Sequence, residues 1–323
     1  MAVDFSRVGV AVGHAGDPDA GTGCTVVRGI DASFRGGVAI FGRATGSREL
    51  PALGADALAD RVDAVLLAGG SAYGLDAAAG VMRWMEERCR GFPIGGGVVP
   101  IVPAAVIFDL RPLGRFDQRP TPDMAYRAAD TAASTGVAEG SVGAGTGATV
   151  GKAAGIGRAM KGGVGCALRE SAGVAVGAVA VVNAFGDVHD ADGHVLAGAR
   201  DDAGGFLHAA RLLVENPHHI AALAAEQRGR NTTLAVVATN AALDRVQLNQ
   251  LARAAGAALF HRIRPAGSSF DGDIVFALGA REGTPADALH VEALAIAALE
   301  EAIERGVRLA VGASGLPGLA DTP

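Results

Sequence analysis

Gly229-Arg230-Asn231-Thr232-Thr233-Leu234 is the stretch whose reading decides the rest of the chain. Upstream lies a polar, helix-like segment, Glu215-Asn216-Pro217-His218-His219 through Glu226-Gln227-Arg228. Downstream, Leu234-Ala235-Val236-Val237-Ala238-Thr239 is a short apolar run with the composition of a buried strand. Cutting the Asn231–Thr232 bond would put a hydroxyl and a new α-amino group on one residue at the head of that strand. Such an amine, with a pKa near ~7.7–8.0, is the base that a weak hydroxyl nucleophile needs. The same hexapeptide also reads as an ordinary loop entering a strand, and Asn231-Thr232-Thr233 is a glycosylation acceptor in a secreted protein. The surrounding sequence has to choose between these readings.

Composition narrows the field. The chain has 323 residues, half of them hydrophobic but only 4% aromatic, with 48 Gly. That length buries a sizeable core, and the small residues suit sheets and helices whose backbones approach closely. A formal charge of −6 without a basic cluster argues against a nucleic-acid partner. Cys24, Cys89 and Cys166 are far apart and odd in number, so neither a disulfide framework nor a structural zinc site is expected. The eight histidines are scattered, and no metal or cofactor is expected. No uncharged apolar run reaches the ~18 residues a membrane helix needs. Met1 to Arg7 lacks the charged-then-apolar pattern of a signal peptide, so a cytoplasmic location is expected.

Taken in order, Val8 to Val12 is an apolar run ending in Gly13-His14-Ala15-Gly16-Asp17-Pro18, a turn by composition. Gly23–Val27, Gly37–Phe41 and Val62–Ala68 read as strands, and Arg43–Pro51 as a loop. Gly70-Ser71-Ala72-Tyr73-Gly74 leads into a helix from Leu75 to Arg88. Its backbone N–H groups suit either an anion or a close helix–strand contact. Pro100 to Leu110 reads as a strand ending near Asp109, and Pro122 to Ser134 as a helix. Gly143 to Ala153 invites a phosphate-loop reading and does not support it. Only three residues separate Gly147 from Gly151, and Ala153 follows Lys152 where Ser or Thr is needed.

Ser171 to Val182, with its continuation to Val188, reads as a small-residue strand pair, in which Asn183 either caps a strand or turns an amide into a site. Gly198 to Arg230 has the composition of an exposed connection with one or two helices. Asp244 to Leu259 is a helix with apolar residues at Val246, Leu248, Leu251 and Ala255. Phe270-Asp271-Gly272-Asp273 is a turn entering a strand, able to aim two carboxylates at one spot. A helix from Pro285 to Arg305 follows, and the last residues read as loose.

In this order the pieces resemble the P1-type (DmpA-like) peptidase family of self-cleaving hydrolases with an N-terminal Ser or Thr nucleophile. The resemblance runs nearly the whole chain. It is carried by Gly13-His14-Ala15, Gly69 to Asp76, Gly151-Lys152, Val182-Asn183-Ala184, Asn231 to Leu234, Leu248-Asn249-Gln250 and Phe270 to Asp273. The Asn-Thr-Thr junction is most similar to the branch of nylon-oligomer (6-aminohexanoate oligomer) endo-hydrolases.

The resemblance implies Thr232 as nucleophile, freed by cleavage after Asn231 into pieces 1–231 and 232–323 of one hydrolase domain. It implies Asn183 as oxyanion donor, Lys152 beside the nucleophile, Asp271 and Asp273 orienting the amine and Lys152, and Tyr73 binding the substrate carbonyl. It implies a four-layer α/β/β/α sandwich with mixed sheets, a short peptide or amide-oligomer substrate, and a homo-oligomer, often a tetramer. Periodicity alone gives only an α/β chain with a mixed sheet. Ornithine acetyltransferase shares the fold, but its Lys-Gly-x-Gly-Met run and Ala-Thr-Met-Leu junction do not occur in this sequence. A non-catalytic ligand-binding protein on the same scaffold is the alternative from another class.

Overall fold

Alternation along Thr232–Ala241 sets the stacking of the layers. Leu234, Val236 and Ala238 enter one apolar core, and Ala235 and Val237 enter another. A strand covered on both faces belongs inside a layered sandwich. The computed structural model describes residues 3–216 and 230–321.

Ten strands build two five-stranded sheets. In chain order they are β1 (Val10–Asp17), β2 (Thr22–Gly29), β3 (Phe34–Ile40), β4 (Gly46–Arg48), β5 (Ala64–Ala68), β6 (Ala104–Val106), β7 (Val164–Ser171), β8 (Val174–Asn183), β9 (Thr232–Ala241) and β10 (Ile274–Thr284). The first sheet runs β1–β2–β5–β6–β4, with only β5 and β6 parallel. The second runs β7–β8–β9–β10–β3, with only β9 and β10 parallel.

Three cores separate four layers. Val12, Val27 and Leu67 of the first sheet meet Val179, Leu234 and Phe276 of the second in the central core. Outside the first sheet lie α1 (Ala78–Glu86) and α2 (Pro122–Asp130), which bury Val81, Met85 and Ala125 against Val26 and Leu66. Outside the second lie α3 (Arg245–Ala255) and α4 (Ala288–Arg308), which bury Leu248, Leu251 and Leu299 against Val182 and Val275. The result is an α/β/β/α sandwich with mixed sheets.

Several local expectations are corrected. Gly13 to Asp17 is no turn; it continues β1, paired residue for residue with β2. The glycine is there for contact, because a Cβ on Gly13 would stand 1.9 Å from the Ala128 carbonyl oxygen of α2. Arg43–Pro51 contains the edge strand β4. The Pro100–Leu110 run forms strand only over Ala104–Val106, since Pro100 and Pro103 lack the N–H a ladder uses. Strand β7 was not foreseen, because Cys166 to Ser171 mixes apolar and charged residues on a sheet edge. The tail is not loose up to Asp321: the Pro317 carbonyl accepts from Lys161 N at 2.9 Å, and Gly312 N donates to the Asp321 carboxylate at 2.8 Å. The polar segment Glu215–Arg228 falls largely outside the described residues; a helix is seen over Ala209–Glu215. Among the described residues no helix is long and apolar enough to cross a membrane.

Helix α3 packs only some of its apolar residues. A capping box starts it: Gln247 N donates to Asp244 Oδ1 at 2.8 Å, and Asp244 N to Gln247 Oε1 at 2.9 Å. Leu248 is fully buried, whereas Val246, about 200° around the helix from it, is 66% exposed. Leu248→Ala should therefore cost about 2–5 kcal/mol in chemical denaturation. Val246→Ala should stay within about 0.5 kcal/mol of the parent.

Candidate active site

The site is made by strand register. Antiparallel pairing of β8 with β9 sets Asn183, the last residue of one, opposite Thr232, the first of the other. Parallel pairing of β9 with β10 matches Leu234 to Ile274, and an isolated bridge one turn earlier joins Asn231 to Asp271. Asn183 and Thr232 keep step with Val181 and Leu234, which point into the central core, so both side chains lie between the sheets. Lys152 joins them from a short 3₁₀ turn whose N–H donates to the Phe185 carbonyl at 2.9 Å, just beyond the end of β8.

All the polar groups gathered here are buried: Lys152, Asn183, Asn231, Thr232, Thr233, Asp271 and Asp273. The Asn231–Thr232 peptide carbonyl sits at the centre. Its oxygen lies 2.6 Å from Thr232 Oγ1 and accepts the Gly272 N–H at 2.8 Å. Asn183 Oδ1 accepts from Lys152 Nζ at 2.9 Å and from Thr149 N at 3.1 Å. Asn183 Nδ2 donates to the carbonyls of Arg230 at 3.3 Å and Phe108 at 3.4 Å. Lys152 Nζ also donates to the Asn183 carbonyl at 3.1 Å.

The two aspartates do different work. Asp271 Oδ2 accepts from Ser268 N at 2.9 Å and Ser268 Oγ at 2.6 Å, which closes the turn before β10. Asp273 Oδ1 accepts the Thr233 N–H at 2.6 Å and its Oδ2 accepts Gly267 N at 3.1 Å, tying the head of β9 to that turn. Burial pushes the Lys152 ammonium down to about 7, against the opposing pull of Asp271 and Asp273. Burial, reinforced by the charge of Asp271, pushes Asp273 up to about 7, and burial likewise raises Asp271. A buried amine and carboxylates that change protonation near neutrality are what proton transfer at a reacting centre requires.

A cleft of about 350 Å³ opens onto Lys152, lined by Phe108, Arg111, Pro112, Thr149, Ile156 and Arg230. The Arg230 guanidinium lies 5.3 Å from the Phe108 ring centre. Tyr73 is not among these residues. It is 59% exposed, lies 4.2 Å beneath the Arg119 guanidinium, and lines a different cavity of about 560 Å³ with Asp17, Thr22 and Asp76. The structure thus brings together Thr232, Asn183, Lys152, Asp271 and Asp273, and places Tyr73 apart from them.

Sequence reasoning missed Thr149, Ser268, Lys161 and the amide of Gly272. Lys161 explains the Gly-rich stretch: its buried ammonium donates to the carbonyls of Thr146 at 2.8 Å, Ala148 at 2.9 Å and Gly145 at 3.3 Å. A loop that turns carbonyls inward around a cation is the reverse of a phosphate cradle. Both readings of the Gly70 turn have a counterpart inside the fold: Asp109 accepts Gly70 N and Thr22 Oγ1, each at 2.7 Å, and a Cβ on Gly74 would stand 1.9 Å from the Gly69 carbonyl oxygen. Outside this set of residues, Asp190, Asp192 and His194 cluster on a turn in which Asp190 already accepts two backbone N–H groups.

The chain is similar in fold to a beta-aminopeptidase of Burkholderia sp. (TM-score 0.70, 21% identity, covering 99% of this chain and 92% of that one). It is also similar to the l-aminopeptidase d-ala-esterase/amidase of Ochrobactrum anthropi, described as a variant of the Ntn hydrolase fold (TM-score 0.69, 19% identity, 96% of this chain and 88% of that one). In sequence it is 44% identical over 322 residues to an uncharacterized aminopeptidase of Mycobacterium tuberculosis, covering 95% of this chain and 88% of the relative. It is 32% identical over 307 residues to the 6-aminohexanoate-oligomer endohydrolase of Kocuria sp., covering 91% of this chain and 81% of the relative. The model of peptidase family S58 matches residues 7–318, and the chain belongs to that family.

Proposed function

We propose that this protein is a self-processing amide hydrolase whose nucleophile is Thr232, freed by cleavage of its own Asn231–Thr232 bond into pieces 1–231 and 232–323. One observation carries the reading: a buried threonine hydroxyl at the head of a central strand lies 2.6 Å from the carbonyl oxygen of its own preceding peptide bond. Attack of Oγ1 on the Asn231 carbonyl carbon, with transfer of the hydroxyl proton to the departing nitrogen, gives an ester and a free Thr232 amine. Water then hydrolyses the ester. The freed amine, with a pKa near ~7.7–8.0, serves as base for attack on substrate carbonyls.

The neighbours suit this role. Lys152 fixes Asn183 through its Oδ1, which leaves Nδ2 as the group available to a substrate oxyanion once the chain end at Arg230 has moved. Asp273 holds the Thr233 N–H and so fixes the backbone from which Thr232 projects. Tyr73, expected to bind the substrate carbonyl, would need the cleft to extend toward its own cavity, and its role is proposed on the sequence resemblance alone.

The substrate proposed is a short peptide or amide oligomer, and the protein is proposed to work as a homo-oligomer. Within that class, the cleft lining favours internal cleavage. Arg111 and Lys152 are basic, Arg230 adds a third basic group until the chain end moves, and no carboxylate is among the described lining residues. A free substrate ammonium beside the scissile bond would meet like charge there. This accords with the endohydrolase relative more than with the aminopeptidase one.

Intact mass under denaturing conditions tests the nucleophile: two pieces are expected from the parent chain and one from Thr232→Ala. One uncut chain from both, stable on long incubation, would overturn the proposal. Asn183→Ala should lower amide turnover by about 10²–10³-fold while the chain still folds. Blocking the amine of a short amide oligomer should leave its hydrolysis undiminished, and a strict need for a free terminal amine would reverse the internal-cleavage reading. Asp273 supplies a pH test. Its folded value of about 7 lies above the ordinary 3.8, so the stability it contributes is present at low pH and lost as pH rises through about 7. In the uncut Thr232→Ala background, Asp273→Asn should gain ground on its parent in denaturant midpoint between about pH 4.5 and about pH 8.

A further inference from the structure

In the intact chain, the carbonyl that self-cleavage must attack already carries one hydrogen bond from another segment, and the donor is Gly272 N at 2.8 Å. Other donors close to the site are committed elsewhere. Asn183 Nδ2 reaches the Arg230 and Phe108 carbonyls, and Lys152 Nζ reaches Asn183 and, at 3.5 Å, Arg230. Each therefore serves the carbonyl one residue upstream of the scissile one, or none on this segment. The Gly272 bond accompanies an isolated bridge, Asn231 to Asp271, in step with the β9–β10 pairing and three residues before its first pair. Its acceptor lies beside the Thr232 hydroxyl.

We propose that Gly272 is a catalytic residue of self-cleavage: its backbone N–H stabilises the oxyanion formed on the Asn231 oxygen, and its missing side chain leaves room for the attacking hydroxyl. The inference rests on the self-cleavage reading and adds its oxyanion donor. When Thr232 Oγ1 bonds to the Asn231 carbon, the carbonyl π electrons move onto the oxygen that Gly272 already faces. The C–N bond then breaks, the nitrogen takes the hydroxyl proton, and an ester remains. Water gives one proton to the Thr232 amine as it adds to that ester, and charge returns to the same oxygen; the C–O bond then breaks, the amine hands its proton to the Thr232 oxygen, and the Asn231 acid ionises to its carboxylate. A backbone donor that already faces this oxygen meets both oxyanions without reorganising.

The side-chain space is equally committed: a Cβ at position 272 would stand 2.8 Å from Thr232 Oγ1 and 2.5 Å from the Ala44 carbonyl oxygen. In substrate turnover the acyl carbon arrives from the cleft instead, on the side where Asn183 and Lys152 lie. Processing and turnover thus use different donors and are separable by mutation.

The test replaces residue 272 by glycolic acid in cell-free translation of the full chain, exchanging the N–H for an ester oxygen with no added side chain. Intact mass follows the appearance of pieces 1–231 and 232–323. Cleavage is expected to slow by about 10²–10³-fold relative to the parent chain. The same exchange at Gly267, whose N–H faces Asp273 Oδ2 and not the scissile carbonyl, should slow it by less than about tenfold. Processing of the 272 ester at the parent rate would overturn the inference and leave self-cleavage standing. A parent chain that never cuts itself would overturn both. If the 272 ester does not fold, as judged by melting beside Thr232→Ala, the amide itself decides. In the uncut Thr232→Ala chain, slow hydrogen exchange at Gly272 and scalar coupling across its bond to the Asn231 carbonyl are expected, and absence of both would overturn the inference.

Discussion

The pairing of β9 with a strand on each side is the constraint on which the rest depends. β8 fixes Thr232 opposite Asn183, and the turn before β10 fixes the preceding carbonyl opposite Gly272. A slip of one residue in either ladder would turn Thr232 toward the helices and break the whole arrangement at once. Register is held against such a slip by the cores on both faces, where Leu234 and Val236 fit one layer and Ala235 and Val237 the other. Hydrophobic packing far from the site thus decides which atoms meet within it.

The polar groups are organised in the opposite sense. Burial alone would disfavour charge on Lys152, Asp271 and Asp273, and their mutual attraction recovers only part of that cost. What makes the cluster tolerable is that each carboxylate accepts backbone or hydroxyl hydrogens, while the ammonium donates to an amide oxygen and a carbonyl. The same satisfaction of hydrogen bonds stabilises Lys161, whose three carbonyl partners shape the Gly-rich loop that carries Thr149 to Asn183. Two buried lysines therefore serve different ends, one facing the site and one bracing the loop behind it.

Much of this was legible in the chain because polar residues at strand ends stand out against apolar runs. Thr232 before Leu234-Ala235-Val236-Val237 and Asn183 after Val179-Ala180-Val181-Val182 are both of that kind. The layer order was carried by resemblance, since small residues on both faces of β8 and β9 blur the alternation that would reveal a sheet. The burial of Lys152 was hidden because a lysine among glycines looks solvated. The Gly272 amide left no side-chain signal, and Val246 faces outward because it stands about 200° around α3 from the buried Leu248. Tyr73 was named from its motif, and its ring lines a cavity other than the one that opens onto Lys152.

The position of β9 has a consequence for the life of the protein. It is an interior strand, hydrogen-bonded along both edges, and the segment that follows it supplies β10 and both helices of one outer layer. A chain severed at its first residue would keep those bonds, so the fragments would stay interlocked without a covalent link. Assembly of the uncut chain is a first-order event, independent of concentration. Reassembly of denatured fragments would be second-order and would compete with aggregation of their exposed strands. The architecture is thus made once, in one direction, and its durability afterwards would depend on how slowly it opens more than on how readily it re-forms.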